Sequence, residues 1–363
     1  MGGEAESGHN GEDKMSYFVS RMQFVVSAAV VLIGIAGTAV GQNKSPVAPT
    51  EQAYNTIVKE AYVNFKDDTS GKNADYIPAL AQVDSKLYGI AIVTTDGRVY
   101  KIGDVDQAFS IQSISKVFTL ALAMEERGSD EVFKMIGNEP TGRAFNSIPA
   151  VVDMPTHAGN PYVNAGAIAT VSLISGASPD EKWNKLLAFY GKAAGSKLTL
   201  LEDVYKSEAA TNTGNKAISM LLAKYDRIYA DPFESVDVYT KACSVGVTAN
   251  QLAVMGATLA NYGKNPLTGE QVISRDNVPH ILSAMMMAGL YDGSGGWAWH
   301  VGIPAKSGVG GGIIAVVPGK GAMAVFAPPL DEAGNSVKAQ KAIAYVADKL
   351  GINIFSPASV GLH

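Results

Sequence analysis

The sequence predicts an α+β fold in which an antiparallel sheet is flanked by N- and C-terminal helices and an all-helical subdomain is inserted mid-chain. Three observations carry that expectation. Short β-rich runs lie near both ends, at 87–104 and 300–329. Apolar runs with helical spacing fill much of the stretch between, roughly 165–290. A helix is expected at each end of the folded region. Strands from both ends are buried most simply by pairing in one sheet, which leaves the intervening helices to pack against it.

Residues 51–66 have helical spacing, and Thr50 ahead of them suits an N-cap. LYGIAIVTTDGRVYKIGD, residues 87–104, reads as a β-hairpin turning at Asp96-Gly97. FSIQSISKVFTLALAM, residues 109–124, is apolar on every side of a helix, so that helix should be buried; it ends at Gly128. Further helices are expected in AGAIATVSLI, DEKWNKLLAFYGKA, NKAISMLLAKY and TANQLAVMGATLANYG. HVGIPAKS, GGIIAVVPGK and GAMAVFAPP return to strand character, the last two turning through Pro318-Gly319-Lys320-Gly321. A helix over 336–350 closes the domain. The folded unit is expected over 51–355, with its α/β part at about 51–128 and 295–355 and its helical part at about 129–294. The seam between the two parts is the default position for a site.

Composition narrows the chemistry. Hydrophobic residues make up 47% of the chain and charged residues 17%, against roughly 25% charged in ordinary soluble domains. A net charge of −5 leaves no electrostatic footprint for nucleic acid. The single cysteine, Cys243, excludes an internal disulfide and a multi-thiolate zinc site. The histidines at 9, 157, 280, 300 and 363 show no metal-binding spacing, so no metal is expected. Neither Cys243 nor His157 is assigned a role.

Lys116 is the anomaly of the buried helix, because a charged amine in an apolar segment must be paired or neutralised. Ser113 stands three residues earlier on the same face, whereas Ser115 points away around the helix and Ser110 precedes it. A desolvated lysine can take the proton of a serine hydroxyl and make it a nucleophile. Late in the chain, PAKSGVGGGII brings Lys306-Ser307-Gly308 to a predicted strand edge, where glycine permits close approach to the backbone. N–H groups there, with that of Ser113, suit an oxyanion hole. Ser-x-x-Lys early and Lys-Ser-Gly late is the motif order of the serine β-lactamase and penicillin-binding fold.

Longer segments sharpen the resemblance. They read ADYIPALAQVD, FSIQSISKVF, GNPYVNAGAIA, VYKSEAATNTGNKA, VYTKACSVGVTANQLAVMGATLANYGKNPLTGEQV, GLYDGSGGWA and PAKSGVGGGI. On these segments the chain from about residue 52 to 350 resembles the bacterial serine-dependent glutaminases, which have a β-lactamase-like fold. The resemblance implies hydrolysis of L-glutamine to L-glutamate and ammonia through a serine-bound γ-glutamyl ester, with no cofactor. It implies Ser113 as nucleophile, Lys116 as its base and Tyr291 as a proton carrier. Substrate contacts are implied for Tyr76, Ser113, Asn164, Glu208, Asn215, Tyr239, Tyr291 and Val309, the last through its backbone N–H. Lys306 is given an electrostatic role only. A homo-oligomer, dimer or tetramer, is a further implication.

The implied contacts make chemical sense. A carboxylate such as Glu208 suits an α-ammonium, and asparagines can hold either end of an amino acid by neutral hydrogen bonds. Those contacts describe a small amino-acid pocket rather than the open groove of a lactamase or transpeptidase. Asn164 and Asn215 also directly precede helical runs, where asparagine can serve as a cap.

Ahead of the domain, FVVSAAVVLIGIAGTAVG, residues 24–41, carries no charge and follows Lys14 and Arg21. It reads as a secretory signal cleaved near residue 39 or 41, with Met15 a better start than Met1 and 42–50 a short linker. Periplasmic or secreted localisation follows; the alternative is an uncleaved anchor at 24–41. Expressed in a bacterial host, the mature protein should begin near Val40 or Gln42. N-terminal sequencing checks this, and intact residues 15–41 on a membrane-bound product would support the anchor instead.

Overall fold

The structure is a computed structural model and describes residues 49–356. The expected signal or anchor, and the linker as far as residue 48, lie outside the described residues. In chain order the strands are β1 (Gly89–Thr94), β2 (Val99–Gly103), β3 (Phe109–Ser110), β4 (Thr199–Leu200), β5 (Val245–Val247), β6 (Ala305–Gly308), β7 (Gly312–Val317) and β8 (Gly321–Phe326).

β2-β1-β8-β7-β6 form one antiparallel sheet, and its central pairing joins the two ends of the chain. β1 lies against β8 from Gly89↔Phe326 to Thr94↔Gly321. Every residue of β1, β7 and β8 is buried, which explains their continuous apolar runs: the sheet is covered on both faces. The pleat sorts the side chains. Ile90, Ile92, Ile313, Met323 and Val325 join a core with Val58, Ala61, Ala339 and Ile343 from the helices Glu51–Phe65 and Val337–Leu350. Ala91, Val93, Ile314, Ala322 and Phe326 face the other way, into a larger core shared with the helices Ser115–Arg127 and Ala249–Ala260.

Capping follows the sequence. Thr50 accepts from Ala53 N–H, Ser336 from Ala339 N–H, and Thr248 with Gln251 forms a full capping box. The hairpin turns where expected, with Gly97 at φ 84°. HVGIPAKS differs from expectation: only Ala305–Gly308 is strand, and a helix, Ser294–His300, runs up to its first residue. The middle of the chain also contributes strands, since β3-β5-β4 make a second small sheet. Strands of two or three residues are too short to leave a period-2 signal. This sheet matters because Ile111 N–H donates to Val245 O at 2.8 Å, fixing the chain just ahead of Ser113. Phe109 stacks on Phe326 at 4.1 Å, which ties the small sheet to the large one.

Helix Ala249–Ala260 lies close on the sheet because Gly256 faces it. A Cβ there would stand 2.6 Å from Ala322 Cβ and 2.9 Å from Ile314 Cδ1. In an exposed helix Gly→Ala is stabilising by about 1 kcal/mol. Here the overlap should win, at roughly 1–3 kcal/mol for a forced shift in a packed core. Gly256→Ala is therefore expected to lower the thermal midpoint by several degrees, and an unchanged or higher midpoint would show that the layer spacing yields freely.

Candidate active site

The site begins with a sharp turn. β3 delivers the chain to Gln112, which takes the left-handed conformation at φ 50°, rare for a side chain of this kind. Gln112–Ile114 form one turn of 3-10 helix, and the α-helix starts only at Ser115. Ser113 thus precedes the helix that the sequence suggested would carry it. The i,i+3 relation to Lys116 survives, because a 3-10 turn also brings residues three apart onto one side.

The β6–β7 turn packs directly on this segment. A Cβ at Gly308 would lie 2.7 Å from Ile111 O, and one at Gly310 would lie 2.4 Å from Ser110 O. Only glycine lets the backbone around Val309 come this near to Ser113. Tyr76, Ser113, Asn164, Glu208, Asn215, Tyr239 and Val309, widely separated in sequence, all line one cavity of about 210 Å³. Larger clefts exist, one of about 550 Å³ beside Pro329 and Lys338, but it gathers none of these residues. Chemistry, not volume, distinguishes the smaller cavity.

Lys116 lies behind the cavity wall and is almost fully buried, at 2% exposure. Its Nζ donates to Tyr162 O at 3.1 Å and to Asn164 Oδ1 at 2.8 Å. Burial lowers its pKa to about 8, opposed by the nearby Cys243 and Glu208. Asn164 is the hub. Its Oδ1 also accepts from the Tyr239 hydroxyl at 3.1 Å, and its Nδ2 donates to Asn215 Oδ1 at 2.9 Å. Neither asparagine is a cap: Asn164 opens the helix Asn164–Leu173, and Asn215 lies inside Thr213–Lys224.

Glu208, on the helix Glu202–Thr211, is buried and accepts from Gln112 Nε2 at 3.1 Å. Burial raises its pKa to about 7, against lowering contributions from Gln112 and Lys116. Tyr291 comes to Ser113 from the far side of the seam, near enough for the serine to lower the tyrosine pKa against burial. Its hydroxyl donates to Ser307 O at 3.4 Å, and burial pushes its pKa up to about 12. The ring is packed by Phe145 at 4.6 Å and by Lys306 Nζ at 4.2 Å. Lys306 is itself fully buried, donating to Gly289 O at 2.9 Å and Ser307 O at 2.7 Å. Burial, and then Lys116, hold its pKa well below that of a free lysine.

Tyr76 is 55% exposed and forms the rim, while Tyr239 is buried in the wall. Cys243 is buried beneath the site with its thiol pushed up to about 12 by burial, so it is an inert packing group. Gln112, Phe145 and Asn212 also line the cavity. Sequence reasoning passed over them because each reads alone as a turn or packing residue. Among the described residues, no group of three or more His, Cys, Asp or Glu could hold a metal ion.

Comparison with known proteins shows the family of the chain. A glutaminase from Colwellia psychrerythraea is 57% identical over 312 residues, covering 86% of this chain and 99% of the relative. The solved structure of probable glutaminase ybaS matches with a TM-score of 0.84 at 49% identity, covering 85% of this chain and all of the other. A Bacillus subtilis glutaminase, YbgJ, solved in covalent complex with 5-oxo-L-norleucine, matches with a TM-score of 0.74 at 32% identity, covering 84% and 99%. The Glutaminase family model spans residues 71–355, which includes every residue lining the cavity, and the chain belongs to the glutaminase family.

Proposed function

We propose that this protein hydrolyses L-glutamine to L-glutamate and ammonia through a γ-glutamyl ester on Ser113. The observation that carries the reading is the meeting of the Ser113 hydroxyl and the buried Glu208 carboxylate in one small cavity, with the buried amine of Lys116 behind its wall and bonded to the lining residue Asn164. An amino acid with a side-chain amide can present its ammonium to the carboxylate and its amide carbonyl to the serine. The covalent complex of the Bacillus enzyme formed with 6-diazo-5-oxo-L-norleucine supports a nucleophilic residue in the family.

In this reading Glu208 pairs with the α-ammonium, while Asn164, Asn215, Tyr239 and Tyr76 complete the amino-acid contacts. Lys116, neutral when it acts, takes the proton of Ser113 Oγ as that oxygen bonds to the side-chain carbonyl carbon. The N–H groups of Ser113 and Val309 stabilise the resulting oxyanion. Collapse breaks the C–N bond, and Tyr291 relays a proton to the departing ammonia. Water then attacks the ester carbon, giving up a proton to Lys116 by the same route; collapse breaks the bond to Ser113 Oγ, which takes that proton back as glutamate leaves. Lys306 contributes by fixing the Tyr291 ring and the Ser307 carbonyl. Assembly as a homo-oligomer and export through residues 24–41 belong to the same proposal.

Ser113→Ala and Lys116→Ala should each abolish release of glutamate from glutamine while leaving the melting profile of a folded protein. Nucleophile and base act as one unit, so losing either should cost nearly as much as losing both. Substantial turnover by Ser113→Ala would sink the covalent route.

The pH profile is a separate test. Binding the ammonium needs Glu208 ionised, favoured above about 7, and proton abstraction needs Lys116 neutral, favoured above about 8. Both requirements point the same way, so kcat/KM should climb through pH 7–8 with a limiting acid slope of about two. In the complex the ammonium already holds Glu208 ionised, so kcat should show a slope of about one. A kcat/KM that falls between pH 7 and 8 is incompatible with these roles.

A further inference from the structure

Asn212 lies between Glu208 and Asn215 in sequence and lines the same cavity. It is the junction of two helices, following Glu202–Thr211 and preceding Thr213–Lys224, yet its side chain caps neither. Nδ2 instead donates to Thr240 Oγ1 at 3.3 Å. The direction of that bond is determined by its neighbour. Thr240 spends its one hydroxyl proton on Val236 O at 2.8 Å, so only lone pairs are left to face Asn212. The amide must turn its NH2 toward Thr240 and its oxygen away.

Oδ1, so oriented, is buried and has no hydrogen-bond partner, on a residue only 8% exposed. Among the described residues, it is the only such buried, unpartnered side-chain atom on a residue lining this cavity. A buried carbonyl oxygen without a donor is costly, and native structures rarely keep one unless something else supplies the donor. The neighbouring acceptor is the Glu208 carboxylate, four residues earlier, which Gln112 only partly satisfies. Glu208 and Asn212 both line this small cavity, and a carboxylate together with an unmet carbonyl oxygen suits a primary ammonium, which carries three donors and a positive charge.

We infer that Asn212 is a specificity-determining residue whose Oδ1 accepts a hydrogen bond from the substrate α-ammonium beside Glu208, an inference that rests on the glutaminase reading above. Glu208 supplies the charge complement and Asn212 a second, directional acceptor. A ligand with the same carboxylate and amide but no ammonium leaves both acceptors unmet.

The test compares L-glutamine with glutaramate, which is glutamine without its α-ammonium. Turnover is followed as glutamate formed from glutamine, with glutaramate as competitor, so any hydrolysis of the competitor goes uncounted. KM for glutamine and Ki for glutaramate are measured in wild type and in Asn212→Leu. Both constants are independent of how much of the preparation is active. Losing a hydrogen bond to a charged group should raise KM by about 10-fold or more and leave Ki for glutaramate within about twofold. Equal changes for the two ligands would overturn the inference, because Asn212 would then only shape the cavity; so would no change in either. Should Asn212→Leu fail to accumulate, Asn212→Ala gives the same ratio. Glu208→Gln separates the two readings. If it loses the preference for the ammonium-bearing ligand and the Asn212 variants keep it, the inference falls and the pocket reading stands; if neither loses it, both fall.

Discussion

Two lysines buried in one seam constrain everything around them. Lys116 and Lys306 are 2% and 0% exposed; burial lowers the tendency of each to carry charge, and Lys116 lowers that of Lys306 further. Neither amine reaches water, so each must find acceptors within the fold or lose its proton. Tyr162 O and Asn164 Oδ1 serve Lys116, while Gly289 O and Ser307 O serve Lys306. These acceptors come from segments far apart in sequence, so the seam forms only when the sheet and the helical layer have closed on each other. A lysine whose pKa is lowered to about 8 and a packed tyrosine near the serine are consequences of that closure.

The carbonyl of Gly289 shows how much is invested in one contact. It accepts from Lys306 Nζ and also from Ser307 N–H at 3.1 Å. Gly289 lies so close to β6 that a Cβ would stand 1.7 Å from Ala305 O. Tyr291 follows two residues later at φ 53°, a left-handed conformation for a bulky side chain. Gln112, on the opposite side of Ser113, has φ 50°. Each such position costs of order 1–3 kcal/mol and persists only where surrounding contacts over-determine it.

How much of this was legible before the fold was known depends on the kind of signal. The terminal helices, the hairpin at Asp96-Gly97 and the β7–β8 turn were legible because capping and turn chemistry are local. The grouping of Ser113, Asn164, Glu208, Asn215, Tyr239 and Val309 was legible through long signature segments, and the fold gathers them in one cavity. The small β3-β5-β4 sheet was not, being made of fragments too short for periodicity. The strained turn at Gln112 was not either, because glutamine has no special tolerance of positive φ and only tertiary packing holds it there. Asn212 stayed hidden for a different reason. In TNTGN it reads as a loop or cap residue, and only its unpartnered oxygen marks it out.

The strained residues and the polar cavity are two sides of one arrangement. Gln112 is tied to Glu208 by its side chain, Tyr291 stands near Ser113 with its hydroxyl bonded to Ser307 O, and Ser113 follows Gln112 directly in the chain. Relaxing Gln112 to an ordinary backbone conformation would swing its amide off Glu208 and move Ser113, the next residue in the chain. The contact that orients the carboxylate and the geometry around the serine therefore cannot be adjusted separately. Gly308 and Gly310 have no room for a Cβ at this turn, which keeps the backbone from relaxing toward the sheet. In the proposed reaction, recognition of the amino-acid end and activation of the hydroxyl would be coupled in this way through one residue of backbone, and that coupling would require both layers of the fold rather than either alone.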